Sequence, residues 1–409
     1  MAGHSRSSPI FRPDTLTWGR LGLWVLIATG ALLRLAPIAD DPLHPDECLY
    51  ASWSMLIASG DDPWLTQVVI DKPPGLPYLL ALWSLLLGTG PVAMRSLGAV
   101  ASVAGMVAFA ATARRYHGPW AAFSGLALLA LSPVCIALDA TALTDAPAIA
   151  LALVGAYAAA SGRGLPAGVL LGLSIATKPQ MVAYLPLVTG AIRAGSKPLS
   201  DTDELRPPAN TGERPGAAWL SGAAGLLLVL AGVAAWEVYR AAPRGFVEAA
   251  IGHYGLRATG NNWDSLLRDW AGLLRWIWGA PWATALWLLS LACAGLAWLW
   301  RRPPRSSGDA LALGAAASLA LYLAANLALG VPAWDRYALP LVPLGAFLLT
   351  WTASQLARLP LKAFGTWLPA AIGLAMIASL AAPAREAARS MLPLGDTSRW
   401  QGIDSVASY

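Results

Sequence analysis

Apolar runs of about 20 residues, each long enough to cross a bilayer as a helix, recur along this chain from residues 18–39 onward. In lipid every backbone polar group must be satisfied within the segment, so a chain built of such runs folds as a bundle of transmembrane helices. Composition agrees: 56% of residues are hydrophobic and 12% charged, against about 25% charged in an ordinary soluble domain. The 20 Trp suit rings anchored at the two membrane interfaces. The pI near 9.2 does not indicate nucleic acid, because the basic residues are spread over short loops. The three Cys (Cys48, Cys135, Cys293) form no CxxC pair and imply neither a zinc knuckle nor a disulfide framework. The first apolar run is too long for a cleaved signal peptide and lacks an Ala-x-Ala exit.

The spans are expected at 18–39, 92–113, 119–138, 146–162, 164–177, 179–193, 218–236, 280–300, 310–330, 338–357 and 365–382, about eleven in all. They form one membrane domain over 1–383, with an external loop at 40–91, a Pro-rich cytoplasmic linker at 194–217 and a second external loop at 237–279. A short external tail follows at 384–409, either a genuinely short end or a cut one. Residues 76–87 are apolar but only about twelve long, too few for a normal span. They are expected to lie in the interface as a helix started by Pro73 and Pro74. Residues 46–59 are expected to do the same, with Leu49, Trp53, Leu56 and Ile57 on the apolar face opposite Glu47 and Ser54. This choice sets the topology. If 76–87 does not cross, Arg114/Arg115, Arg163, Arg193/Lys197, Arg206/Arg214, Arg301/Arg302/Arg305 and Arg358/Lys362 all fall inside; if it crosses, nearly all fall outside. The positive-inside rule selects the first, with the N-terminus cytoplasmic and the C-terminus external in a multi-pass plasma membrane protein.

In that topology many outward charges sit at span ends: Asp46/Glu47, Asp71/Lys72, Arg95, Asp139, Asp145, Lys178, the segment around His253, and Asp335/Arg336. Ionisable groups at membrane depth are costly and by default mark a site. Cations that hold a phosphate beside a carboxylate that deprotonates a hydroxyl would suit a phosphate-linked lipid substrate at the membrane surface. Each residue also has a plainer reading. Asp46 and Asp145 could cap the helices that follow them, Glu47 could be a first-turn acid, and Lys72 and Lys178 could snorkel. Arg34 could pair with Asp40 or Asp41.

Pro45-Asp46-Glu47 with Tyr50-Ala51, a Ser59-Gly60-Asp61 turn and Asp71-Lys72-Pro73-Pro74 resembles the first external loop of the dolichyl-phosphate-mannose protein mannosyltransferase and aminoarabinose transferase family, of the GT-C glycosyltransferases. The likeness continues through Met94-Arg95, Thr144-Asp145-Ala146-Pro147, Thr177-Lys178-Pro179 and Arg336-Tyr337…Pro340. It implies an inverting glycosyltransferase that moves a sugar from a polyprenyl-phosphate donor to a hydroxyl of a lipid, glycan or protein on the outer face. Asp46 would be the base, with Glu47 and Asp145 orienting it or the acceptor. Lys72, Arg95, Lys178, Arg336 and Tyr337 would line the donor phosphate. Asp71 and His253 would be the ligands of a divalent metal ion. The chain departs from the pattern at Leu49, where relatives often carry Arg before the loop tyrosine. A polytopic transporter or lipid flippase is the competing reading, although its site would be expected near the bilayer midplane.

Overall fold

The computed structural model describes residues 13–39, 43–195, 215–278 apart from 243 and 255–262, scattered positions of 284–296, 306–358 apart from 332, and 367–389. Its helices are α1 (Pro13–Leu35), α2 (Pro45–Ser59), α3 (Gly75–Leu87), α4 (Pro91–His117), α5 (Pro119–Leu131), α6 (Pro133–Asp139), α7 (Asp145–Ala160), α8 (Gly164–Thr177), α9 (Leu185–Gly195), α10 (Pro215–Arg240), α11 (Phe246–Tyr254), α12 (Trp263–Trp278), α13 (Ser307–Ala328), α14 (Leu341–Ala357) and α15 (Leu368–Ala387). The expected spans coincide with helices except 280–300, most of which lies outside the described residues, as do the 194–217 linker from 196 to 214 and the tail from 390. Among the described residues six helices qualify by length and composition to cross a membrane, or seven if the bent α5–α6 pair is one span; α3, α7 and α8 are shorter apolar helices.

The two helices of the first loop form as expected, and their boundaries are set by local chemistry. His44 caps α2, its ring accepting from the Asp46 amide, while Glu47 reaches back to the His44 amide and Pro45 occupies the first turn. This is a capping box with proline where its missing N–H costs nothing. Asp46 is therefore not the cap. Gly60, at φ 81, ends the helix. At 13 residues, about 20 Å, α3 is one of the shorter apolar helices. Arg95 near the start of α4 bonds Glu47 at the start of α2, so the α2–α3 hairpin returns to the end of the bundle it left. One sequence expectation holds only in part. Trp53, Leu56 and Ile57 pack inward as expected, but Leu49 is exposed, and Glu47 and Ser54, expected on the opposite face, are buried, Glu47 against Arg95.

The loop between these helices packs as a small core of its own, in which Tyr50, Trp53, Leu65, Ile70, Leu76, Leu80 and Trp236 are buried together. Asp62 nucleates the turn. Burial opposes its charge, but its oxygens accept from the amides of Gln67 and Thr66, each at 2.8 Å, and these hold the carboxyl below its ordinary value. Arg240 at the end of α10 donates to the Leu65 carbonyl at 3.1 Å, tying the loop to the C-terminal half.

Between α5 and α6 the chain bends by 55°. Pro133 has no N–H to offer the carbonyl of Leu129, and Arg34 of α1 supplies donors instead, to Leu129 at 3.0 Å and Ala130 at 2.9 Å. The same guanidinium pairs with Asp139 at 2.9 Å. Asp40 and Asp41, the partners expected for Arg34, lie outside the described residues. One expectation is corrected: Asp139 does not face outward but turns inward to Arg34 and Ser102. A buried cation and a broken helix satisfy one another, so neither is left unpaired.

Opposite the α2–α3 end, Tyr116 donates to the Ala160 carbonyl and His117 lies 3.2 Å from Ser354. These contacts gather the ends of α4, α7 and α14 at the second face, and the chain alternates between the two faces along the bundle.

Candidate active site

Five separate segments meet at the α2–α3 end. Asp46, on the first turn of α2, accepts from Arg336 Nη1 at 2.6 Å. Arg336 lies on the short 3-10 turn Asp335–Ala338, which is fixed from behind: Tyr322 of α13 donates to the Tyr337 carbonyl at 3.1 Å and Tyr184 to the Pro340 carbonyl at 2.6 Å. Lys178, where α8 ends, pairs with Asp145 at the start of α7 and stands 5.0 Å from the centre of the Tyr337 ring. Arg336 lies over the same ring at 5.7 Å. Lys72 pairs with its neighbour Asp71 at 2.7 Å, and its charge acts on both Asp46 and Lys178.

A close backbone approach sets this arrangement. A Cβ on Gly75 would stand 2.6 Å from the Ala176 carbonyl oxygen, so the start of α3 presses onto the end of α8 only because residue 75 is glycine. Lys72, three residues before Gly75, has its charge felt at Lys178, two residues after Ala176. Gly75→Val is expected to push α3 away from α8 and to lower the melting temperature by several degrees; an unchanged melting curve would mean that this contact does not set the packing.

The electrostatics follow from burial and pairing. Burial opposes the charge of Asp46, but Arg336, by its charge and its hydrogen bond, together with His44 and Lys72, outweighs it and holds the carboxyl below its ordinary value. Lys178 is pushed down, first by burial and then by the Arg336 and Lys72 charges, which the Asp145 carboxylate opposes. Burial works against Arg336 too, yet the surrounding anions push its pKa further up. Asp46 and Arg336 keep 36% and 22% of their side chains exposed, whereas Lys178 and Asp145 keep 8% and 2%.

The structure therefore brings Asp46, Asp71, Lys72, Asp145, Lys178, Arg336 and Tyr337 together. It separates Glu47 and Arg95, each 1% exposed. Glu47 accepts from Arg95 Nε at 3.0 Å, Arg95 Nη2 at 2.9 Å, the Ala142 amide at 2.7 Å and the His44 amide at 2.8 Å. Its carboxylate is fully used in joining α2, α4 and the turn before α7. His253 lies in α11, and its side chain is outside the described residues. Of the two expected metal ligands, Asp71 is engaged by Lys72, and the described residues hold no group of three His, Cys, Asp or Glu that could bind a metal ion. Sequence reasoning missed Tyr322 and Tyr184, whose apolar surroundings carry no local signal.

The fold is that of the membrane domain of GT-C glycosyltransferases. The chain superposes on the crystal structures of ArnT from Cupriavidus metallidurans, with TM-score 0.57 for the form bound to undecaprenyl phosphate and 0.58 for the apo form. Identity is 16% in both cases, over 91% and 92% of this chain and 76% of that one. It also matches the archaeal oligosaccharyltransferase AglB from Archaeoglobus fulgidus, in complex with an inhibitory peptide and a dolichol-phosphate, with TM-score 0.52 and 13% identity over 92% of this chain and 56% of that one. A family model, dolichyl-phosphate-mannose-protein mannosyltransferase, matches residues 71–196; no curated protein matches. The likeness drawn from the loop motifs is thus borne out, by the family model over 71–196 and by fold over nine-tenths of the chain.

Proposed function

We propose that the chain is an inverting glycosyltransferase that takes its sugar from a polyprenyl-phosphate donor and passes it to a hydroxyl acceptor at the outer membrane surface. The observation that carries this reading is the convergence of Asp46, from a loop near the N-terminus, with Arg336, Lys178 and Lys72 from three other turns. The basic loops assign that end of the bundle to the outside. Arg336, Lys72 and Lys178 would neutralise the donor phosphate as it becomes the leaving group, and Asp46 would accept the proton of the attacking hydroxyl as the new glycosidic bond forms. Asp145 would hold Lys178 in place, and Tyr337 would give both flanking cations an aromatic face. Glu47 and Arg95 would brace α2, so that Asp46 is presented at a fixed position.

Anomeric configuration tests the reading: the glycosidic bond in the product should be inverted relative to the donor, and retention would rule out a single displacement driven by Asp46. The pH profile is a second test. Because the Asp46 carboxyl is held low, it stays ionised through neutral and mildly acid pH, and its pairing stabilises the fold until pH falls below the ordinary carboxylate range. The acid limb of kcat/KM should therefore lie below the ordinary carboxylate range, and Arg336→Met should move it upward. An acid limb unmoved by that replacement would mean that another group titrates.

A further inference from the structure

We propose that Arg336 changes partner during the reaction. It holds Asp46 while the site is empty and passes to the donor's phosphate when the lipid substrate enters, so that Asp46 becomes available to the acceptor only after the donor has bound. The inference rests on the donor reading above and concerns what the Asp46–Arg336 pair does within it.

Three observations carry it. First, one oxygen of the Asp46 carboxylate, Oδ2, already accepts from Arg336 at 2.6 Å. A carboxylate so occupied is a weaker base and offers the acceptor one oxygen fewer. Second, the three ion pairs of the site differ in openness. Lys178–Asp145 is nearly buried, at 8% and 2% exposure, and Lys72–Asp71 is intermediate, at 20% and 17%; Arg336–Asp46 is the most exposed, at 22% and 36%. An incoming phosphate competes most readily with a carboxylate that water already reaches, and exchange within a buried pair would strand a charge. Third, the backbone beneath Arg336 is pinned by Tyr322 and Tyr184. The exchange therefore needs only side-chain rotation, and the planar fork of the guanidinium suits a phosphate as well as a carboxylate.

The exchange makes Asp46 a competitor of the lipid phosphate for Arg336, which sets an expected sign. Removing the Asp46 charge should strengthen phosphate binding, even though Asp46 is the group on which turnover depends. Affinity for undecaprenyl phosphate would be measured in nanodiscs for the native chain, Asp46→Asn, Arg336→Met and the double variant, with melting curves confirming that each is folded. Asp46→Asn should bind about 3- to 10-fold tighter than the native chain, the range of coupling typical of contacting residues. In the Arg336→Met background the same change should give less than half that gain, the rest being simple repulsion between carboxylate and phosphate. Arg336→Gln serves in the same cycle if the methionine variant does not fold. Equal or weaker binding by Asp46→Asn would overturn the exchange and leave the donor reading intact, as would a gain of the same size with and without Arg336. Failure of all four proteins to bind would overturn the exchange together with the polyprenyl-phosphate donor.

Discussion

Asp46→Asn is expected to lower sugar transfer by about 10²- to 10⁴-fold, the range that a positioned general base contributes, with little change in melting temperature. The asparagine keeps the shape of the side chain and can still accept from Arg336, but it cannot take the acceptor's proton. Asp46 is at the open edge of the site, and α2 is capped by His44 and Glu47 rather than by Asp46, so loss of activity through unfolding is not expected. Combined with tighter lipid-phosphate binding, the variant should show a donor KM that does not rise while kcat collapses. A rise in KM with kcat preserved would make Asp46 a binding residue and move the base elsewhere. The readout is transfer of labelled sugar beside a thermal unfolding curve in the same detergent.

Arg95→Leu should have the opposite profile, a loss of fold rather than of chemistry. Both members of the Arg95–Glu47 pair are buried, and Glu47 serves three segments at once. Removing one partner of a buried pair leaves an uncompensated charge and typically costs about 3–5 kcal/mol. The protein should lose monodispersity in detergent and unfold at markedly lower temperature. Arg95→Leu combined with Glu47→Gln should recover part of that loss, because no bare carboxylate is then left inside. If Arg95→Leu is as stable as the native chain and only weakens donor binding, Arg95 belongs to the phosphate site.

These two residues mark where the sequence was and was not legible. The helix expected over 76–87 is present as the 13-residue α3, and α4 after it carries the Arg95 that meets Glu47 of α2. The expectation that loop charges converge held for Asp46, Lys72, Asp145, Lys178 and Arg336, because span ends on one face have few other places to go. What spacing does not encode is which cation meets which carboxylate. Arg34 reaches Asp139 across 105 residues, and Arg336 reaches Asp46 across 290. Such choices depend on helix rotation and on who is buried with whom. Glu47 looked like the twin of Asp46 because the two are adjacent, yet successive helical positions face about 100° apart. One faces the open site, and the other is buried against α4. Gly75 carries no signal of its own in the sequence, and only the packed structure shows the Ala176 carbonyl that excludes a side chain there.

The most direct test of the account uses the purified protein in nanodiscs. It is given an undecaprenyl-phosphate sugar labelled in the sugar, with a membrane extract as the source of acceptors. The account predicts that label leaves the lipid for an acceptor and that free undecaprenyl phosphate appears in equal amount. A donor that binds but keeps its sugar, or one that crosses to the other leaflet of a sealed vesicle unchanged, would contradict it and support the transporter reading.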